Sequence, residues 1–442
     1  MKTKLLIIML LSTITATAGG LVKMDLKKCI SMAIENDQRI KIAAMELQKA
    51  KYQRNELAGY GLPQVKATGD FQDYMKLPTQ LIPGEIFGMP GQLIPVQFGT
   101  NYNMTGSIQV SQLVYSQTYI TSIQLAKKLL EIGDLNIEKN KQEVISDVSQ
   151  MFYMALLTQL QLNSLEETYG KIDTMTTVIN IQKDNGFLKK VDADRMNVTR
   201  TNMQTDISNL KLMLGQQLNL LRYFTGMESR DSLVLSEPEK YNAEMILSGY
   251  NADNHVDLMM LDRQKQAAKL QMQMAVSEGM PNLAFFGSFS KNNQQNEFSR
   301  LFNDKKSWLG TSIIGLSLNV PIFSGLQKYY KMKQYKIQFD ELALTRLYTK
   351  KFIETSIENS MKKVLQTRAS VQNQQNNVKL SRDVFNVVTE QYNKGVASLT
   401  DMLNAETSLI SSQSSYVQSL IQMKVAEIEF LKSTGNLSNL LK

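Results

Sequence analysis

The chain has almost none of the side chains that carry covalent or metal chemistry. Among 442 residues there is one cysteine, Cys29, and one histidine, His255. A lone cysteine cannot close an intrachain disulfide, which excludes a stapled secreted scaffold. Cys29 reads instead as a small apolar residue in the core of the first helix. No Ser/His/Asp or Cys/His set can be assembled for nucleophilic catalysis. The glycines between Pro83 and Gly99 lack the G-x-x-x-x-G-K-[ST] spacing of a phosphate loop. The 25 methionines make no soft-metal cluster with histidine or cysteine and read as core filling. An enzyme is therefore not expected, nor a cofactor or metal. Charge of one sign is also not gathered anywhere. The 49 basic and 41 acidic residues give +8, scattered along the chain without the basic-aromatic block that nucleic-acid binding needs.

Long apolar runs are missing too. Beyond the start of the chain no run approaches the roughly 18 apolar residues of a spanning helix. The start itself, MKTKLLIIMLLSTITATAGG, has Lys2 and Lys4, an apolar stretch from Leu5 to Leu11 and then Ala16-Thr17-Ala18. That pattern predicts a secretory signal peptide over residues 1–18, with an uncleaved amphipathic anchor as the alternative. Cys29 lies well past the cleavage point, behind Lys27-Lys28, which argues against a lipidated first residue.

Two tracts lack helix breakers. Gln117 to Asn185 contains no proline and only Gly133 and Gly170; Leu326 to Lys394 contains neither proline nor glycine. In the first, Val144, Val148, Met151, Ala155, Leu162, Leu165, Tyr169, Ile172 and Ile179 recur at spacings of 3, 4 or 7. In the second, Ile357, Met361, Val364, Val371, Val378, Phe385, Val388 and Tyr392 do the same. Each tract predicts a coiled-coil rod of roughly 100 Å. Each precedes a tight break and a shorter helix. The polar run Gln372 to Asn377 fits the wall of a water-filled tube, or equally a solvent-facing surface.

The chain says the same thing twice. Gly186 and Gly395, Asp192 and Asp401, and Gly226 and Gly435 stand at one common separation, and Gly61-Leu62-Pro63 answers Gly279-Met280-Pro281. The first repeat is expected over 19–226: a helix over 25–58, strands near 62–75 and 100–115, a long helix over 117–185 and a helix over 191–223. A polar connector over 227–253 leads to the second repeat, 254–435. It holds a helix over 256–277, strands near 281–290 and 308–323, a long helix over 326–394 and a helix over 399–431, with a tail over 436–442. In the first helix Ile30, Ala33, Ile34, Ile40, Ala44, Leu47 and Lys51 suit one face. The strands alternate: Tyr102, Met104, Gly106, Ile108 and Val110 point one way, Asn103, Thr105, Ser107 and Gln109 the other. Between the first two strands a proline- and glycine-rich stretch reads as a long loop.

Four strands cannot close a barrel with a lumen, so neighbouring copies must contribute and remove the open edges. A signal peptide, no spanning helix and alternating strands point to the outer membrane. Here the chain resembles the outer-membrane efflux proteins, the channel-tunnel family of Gram-negative bacteria. The tip segment carries the resemblance: Tyr392, Gly395, Asp401 and Met402-Leu403-x-Ala405 match the family pattern, with Met402 in place of valine. The resemblance implies a mixed α and membrane-β fold. Three copies would form a 12-stranded barrel, continuous with a long periplasmic α-helical barrel and built from two internal repeats. It implies outer-membrane lipid around the strands, a periplasmic adaptor (membrane fusion) protein, and an inner-membrane pump of resistance-nodulation or ABC type. It also implies a passive exit duct for small molecules or exported protein.

The resemblance places a periplasmic constriction at Tyr392, Asp401, Asn404 and Asp192, and adaptor docking at the turns Gly186, Phe187, Leu188, Gly395 and Val396. The match is partial, because Asn404 stands where the family has a second aspartate and Ala397 where it has an arginine. Bland readings stay open beside these. Ser398-Leu399-Thr400-Asp401 also fits a helix cap, and Tyr392 ends the apolar seam. The rival from another class is a trimeric coiled-coil surface or structural protein with no transport role.

Overall fold

A computed structural model describes residues 21–227, 232–236, 252–303 and 305–441. The expected signal peptide lies outside these residues, as does most of the connector. In chain order the elements are β1 (Leu21–Met24), α1 (Leu26–Asn36), α2 (Gln38–Gly59), β2 (Gln64–Asp73), β3 (Thr79–Pro83), β4 (Leu93–Gln97), β5 (Tyr102–Ser116), α3 (Gln117–Asp184), α4 (Lys190–Thr225) and β6 (Ser232–Leu235). Then come α5 (Val256–Ser277), β7 (Asn282–Gln295), the single turn α6 (Arg300–Asn303), β8 (Leu309–Asn319), α7 (Gln327–Asn393) and α8 (Leu399–Ser433). Two compact units divide them. One comprises the described residues of Met1–Met45, Leu135–Met260 and Arg346–Lys442, the other Glu46–Asp134 and Leu261–Thr345. No helix among the described residues is long and apolar enough to cross a membrane.

The second unit holds an antiparallel sheet in the order β2-β5-β7-β8. Its register gathers Val65, Val110, Gly287 and Ile314 on one face, and next to them Ala67, Ile108, Phe289 and Ser312. Side chains of directly opposed residues share a face, so this face is mostly apolar. Ile314 on it is 79% exposed. The other face carries Lys66, Gln109, Ser288 and Ile313, then Thr68, Ser107, Ser290 and Thr311. There the hydroxyls of Thr68 and Ser107 lie 2.7 Å apart. Gly315 is needed on this face: a Cβ there would stand 2.7 Å from the Phe286 ring. Among the described residues β2 and β8 pair on one side only.

Several expectations differ from what is found. Where one helix is expected over 25–58 there are two, broken at Asp37 with ψ 129°. The Asp37 carboxylate accepts from the Arg39 backbone N–H at 2.7 Å, starting the next helix, while the Asn36 amide donates to the Thr225 carbonyl at 2.9 Å. The local Asp37 bond competes with a continuous ladder, and the distant Asn36 bond holds the break in place. The break rotates the inward face. Ala43 is buried with Ile40 and Leu47, whereas Ala44 and Lys51 are exposed. The stretch read as a long loop contains the β3–β4 pair around the 3-10 turn Gly84–Phe87. In the connector β6 pairs in parallel with β1, Leu233 opposite Val22. The third hairpin strand runs on to Gln295, and the fourth stops at Asn319, leaving Val320 and Ile322 outside it.

In the first unit, α3 packs on α4 and α7 on α8. Val144, Val148, Ala155, Leu162, Leu165, Ile172 and Ile179 are all buried. On α7 the seam is thinner: Ile357, Val364 and Phe385 are buried, but Met361 is exposed. Polar rungs cross the α7–α8 seam, Ser360 with Ser433 at 3.0 Å, Arg368 with Glu427 at 3.1 Å and Ser381 with Ser412 at 2.9 Å. Cys29 is buried on α1, and burial pushes its thiol up to about 12, with Asp25 adding to the shift, so it is inert.

Candidate functional site

The two helix hairpins of the first unit turn in the same way. After α3, Gly186 N–H donates to the Lys183 carbonyl at 3.0 Å and Phe187 N–H to the Gln182 carbonyl at 2.9 Å. After α7, Gly395 N–H donates to Tyr392 at 2.9 Å and Val396 N–H to Gln391 at 2.9 Å. Each is a Schellman ending, which requires a left-handed residue. Gly186 has φ 80° and Gly395 φ 74°. The turns push an apolar side chain into solvent: Phe187 is 84% exposed and Val396 77%. Leu188 does the opposite and packs against the buried cluster formed by Ile179, Met196, Met402 and their neighbours.

The helices that follow start differently. Ser398 caps α8 in a full capping box. Its hydroxyl accepts from Asp401 N–H at 3.1 Å, and the Asp401 carboxylate accepts from Ser398 N–H at 3.1 Å and from its hydroxyl at 2.6 Å. The Ser398 hydroxyl, then its backbone N–H, hold the Asp401 carboxyl below the usual aspartate value. On α4 the corresponding residue is Lys189, which makes no side-chain cap, although Asp192 lies in the first turn.

Of the four constriction candidates, the structure brings two together and leaves two in solvent. Tyr392 is half-buried against the same apolar cluster. Burial pushes its phenol up, and the nearby charge of Asp192 adds to this. Asp401 and Asn404, one helical turn apart on α8, are both exposed. One residue here was not legible in the sequence: Arg195 of α4, whose guanidinium donates to the Thr400 hydroxyl at 3.1 Å. It brings a cation to the end of α8, where the family arginine position holds Ala397. No local pattern signals it, because its partner is 205 residues away.

Among the described residues no group of three or more His, Cys, Asp and Glu could hold a metal. His255 is nearly buried at the start of α5, where its Nδ1 accepts from Asp257 N–H at 3.3 Å, and burial lowers its pKa. What the geometry offers is a two-faced sheet and a set of helix turns.

Comparison with known proteins shows what this geometry is similar to. Residues 251–436 match the family described as "Outer membrane efflux protein". The chain is 18% identical to Outer membrane protein TolC of Escherichia coli (strain K12) over 360 residues, 77% of this chain and 71% of TolC. It is 21% identical to the probable efflux pump outer membrane protein TtgC of Pseudomonas putida over 426 residues, 93% of this chain and 82% of that one. The Campylobacter jejuni CmeC outer membrane channel superposes with a TM-score of 0.73 at 16% identity, covering 93% of this chain and 85% of CmeC. Together with the two-faced sheet and the long helix hairpins, these matches make the chain similar to the outer membrane efflux proteins over residues 251–436 and similar in fold to a solved outer membrane channel over most of its length.

Proposed function

We propose that three copies of this chain close one barrel and one helical tunnel, forming the passive exit duct of a tripartite efflux or type I secretion system. The observation that carries this reading is the four-stranded sheet, apolar on one face and polar on the other, with β2 and β8 each unpaired on one side among the described residues. Such a sheet is stable in lipid only when its edges are closed by like edges. The duct catalyses nothing; energy comes from an inner-membrane pump of resistance-nodulation or ABC type. A periplasmic adaptor docks at Gly186, Phe187, Leu188, Gly395 and Val396. The outward apolar Phe187 and Val396 support that role, because a solvated tip has no other use for them. Tyr392, Asp192, Asp401 and Asn404 form the periplasmic constriction, where three exposed Asp401 carboxylates would face one axis. Small molecules are the favoured cargo, since the Pseudomonas putida relative is by name part of an efflux pump. The lumen face of the sheet is largely neutral, which fits weak ion selectivity.

The test is extraction and reconstitution. The expected outcome is a detergent-requiring, heat-modifiable trimer that forms pores in planar bilayers. A salt-washable rod, or a monomer without pore activity, would overturn the reading in favour of a surface coiled coil.

A further inference from the structure

Glu406, on α8 just inside the constriction, is 2% exposed, and its Oε1 has no hydrogen-bond partner. Thr389, on α7, likewise has a buried hydroxyl without a partner. The two stand at the same rung. Starting from the bonded pair Arg368 and Glu427 and moving three heptads toward the turn on each helix, one arrives at Thr389 and Glu406. Glu427 shows the alternative on the same helix: equally buried, it is held by Arg368 at 3.1 Å and Lys424 at 3.0 Å.

The other hairpin fills this rung differently. At the separation that relates Gly186 to Gly395, the counterparts of Thr389 and Glu406 are Asn180 and Asn197. Their side-chain amides bond to each other at 3.3 and 3.2 Å. One hairpin carries a neutral bonded pair that never titrates; at the corresponding positions the other carries a buried carboxyl and a buried hydroxyl, neither with a partner.

Charged groups on the four helices near this rung include Asp401 on α8, Arg382, Asp383, Glu390 and Lys394 on α7, Glu167, Lys171 and Asp173 on α3, and Asp194, Arg195, Arg200 and Asp206 on α4. Several are engaged elsewhere, Lys394 with Glu390, Lys171 with Glu167 and Arg200 with Asp173. None of them contributes to the shift at Glu406, and burial alone pushes its carboxyl from the ordinary 4.5 up to about 7.

We propose that Glu406 is a proton-binding site that clamps the α7–α8 hairpin, closing on Thr389 when protonated and releasing the rung when ionised. The proton exchanges with solvent as the hairpin opens. Because the folded value is raised, the clamp is fully effective below pH 4.5, weakens as pH rises, and is lost above about 7. The α3–α4 hairpin does not respond.

Hydrogen exchange of the full chain in detergent, read by mass spectrometry at about pH 5 and about pH 8.5 and corrected for intrinsic rates, tests this. Protection over 385–410 should fall by up to a few hundred-fold at the higher pH, while 176–201 changes little. Glu406→Gln, neutral and isosteric, should remain protected at both. A pH response equal in the two hairpins, its absence from α7–α8, or its survival in Glu406→Gln would each overturn the proposal. If Glu406→Gln does not fold, the contrast between the two wild-type hairpins decides alone. The readout needs no transport, so it stands apart from the conduction proposed above.

Discussion

Ser398 and Asp401 hold each other at the start of α8, and each satisfies a backbone N–H that would otherwise be left open. Ser398→Ala should therefore destabilise the protein by about 1 kcal/mol, read as a lower thermal midpoint. Part of the effect runs through the carboxylate and carries a pH sign. The Asp401 value is depressed, so its contribution is present above the ordinary 3.8 and is lost as pH falls through the lowered value. Below that range the wild type and Ser398→Ala should draw closer together. The cap was legible because S-x-x-D is a short-range pattern. Arg195 and Glu406 were not, since Arg195 is defined by Thr400 on another helix and Glu406 by a burial that no local pattern signals.

At the scale of elements, the apolar seam accounts for both hairpins. Met402 is wholly buried in the cluster where α8 meets Phe385, Ile179 and Met196. Met402→Ala should cost about 2–5 kcal/mol, and denaturant unfolding would measure it. Most of that loss should fall on the second hairpin. Ile172 and Ile179 were readable from spacing because a helix repeats its face every few residues. The kink at Asp37 was not readable, because it depends on Asn36 reaching the Thr225 carbonyl far along the chain. The β1–β6 pair was missed for a related reason: four residues on each side give too little alternation to register as strands. The polar rungs of α7–α8 had the same fault, since Ser381 and Ser412 look like ordinary surface serines until the helices are laid together.

For the whole molecule the tips matter most. Replacing both Phe187 and Val396 with aspartate should leave trimer formation and bilayer pores intact, since both side chains point into solvent. Export in cells should fall at least about tenfold, because docking onto apolar tips would be lost. Comparing pore activity with drug susceptibility separates the two effects, and loss of both would assign the tips to assembly instead. The outer rims of β2 and β8, unpaired among the described residues, have a genetic corollary. When the ring needs three sound members, a faulty subunit is not a private failure, for it spoils the two good ones it joins. A cell making sound and faulty chains in equal amounts would keep only about one intact ring in eight. Harmful alleles of this gene should accordingly behave as dominant.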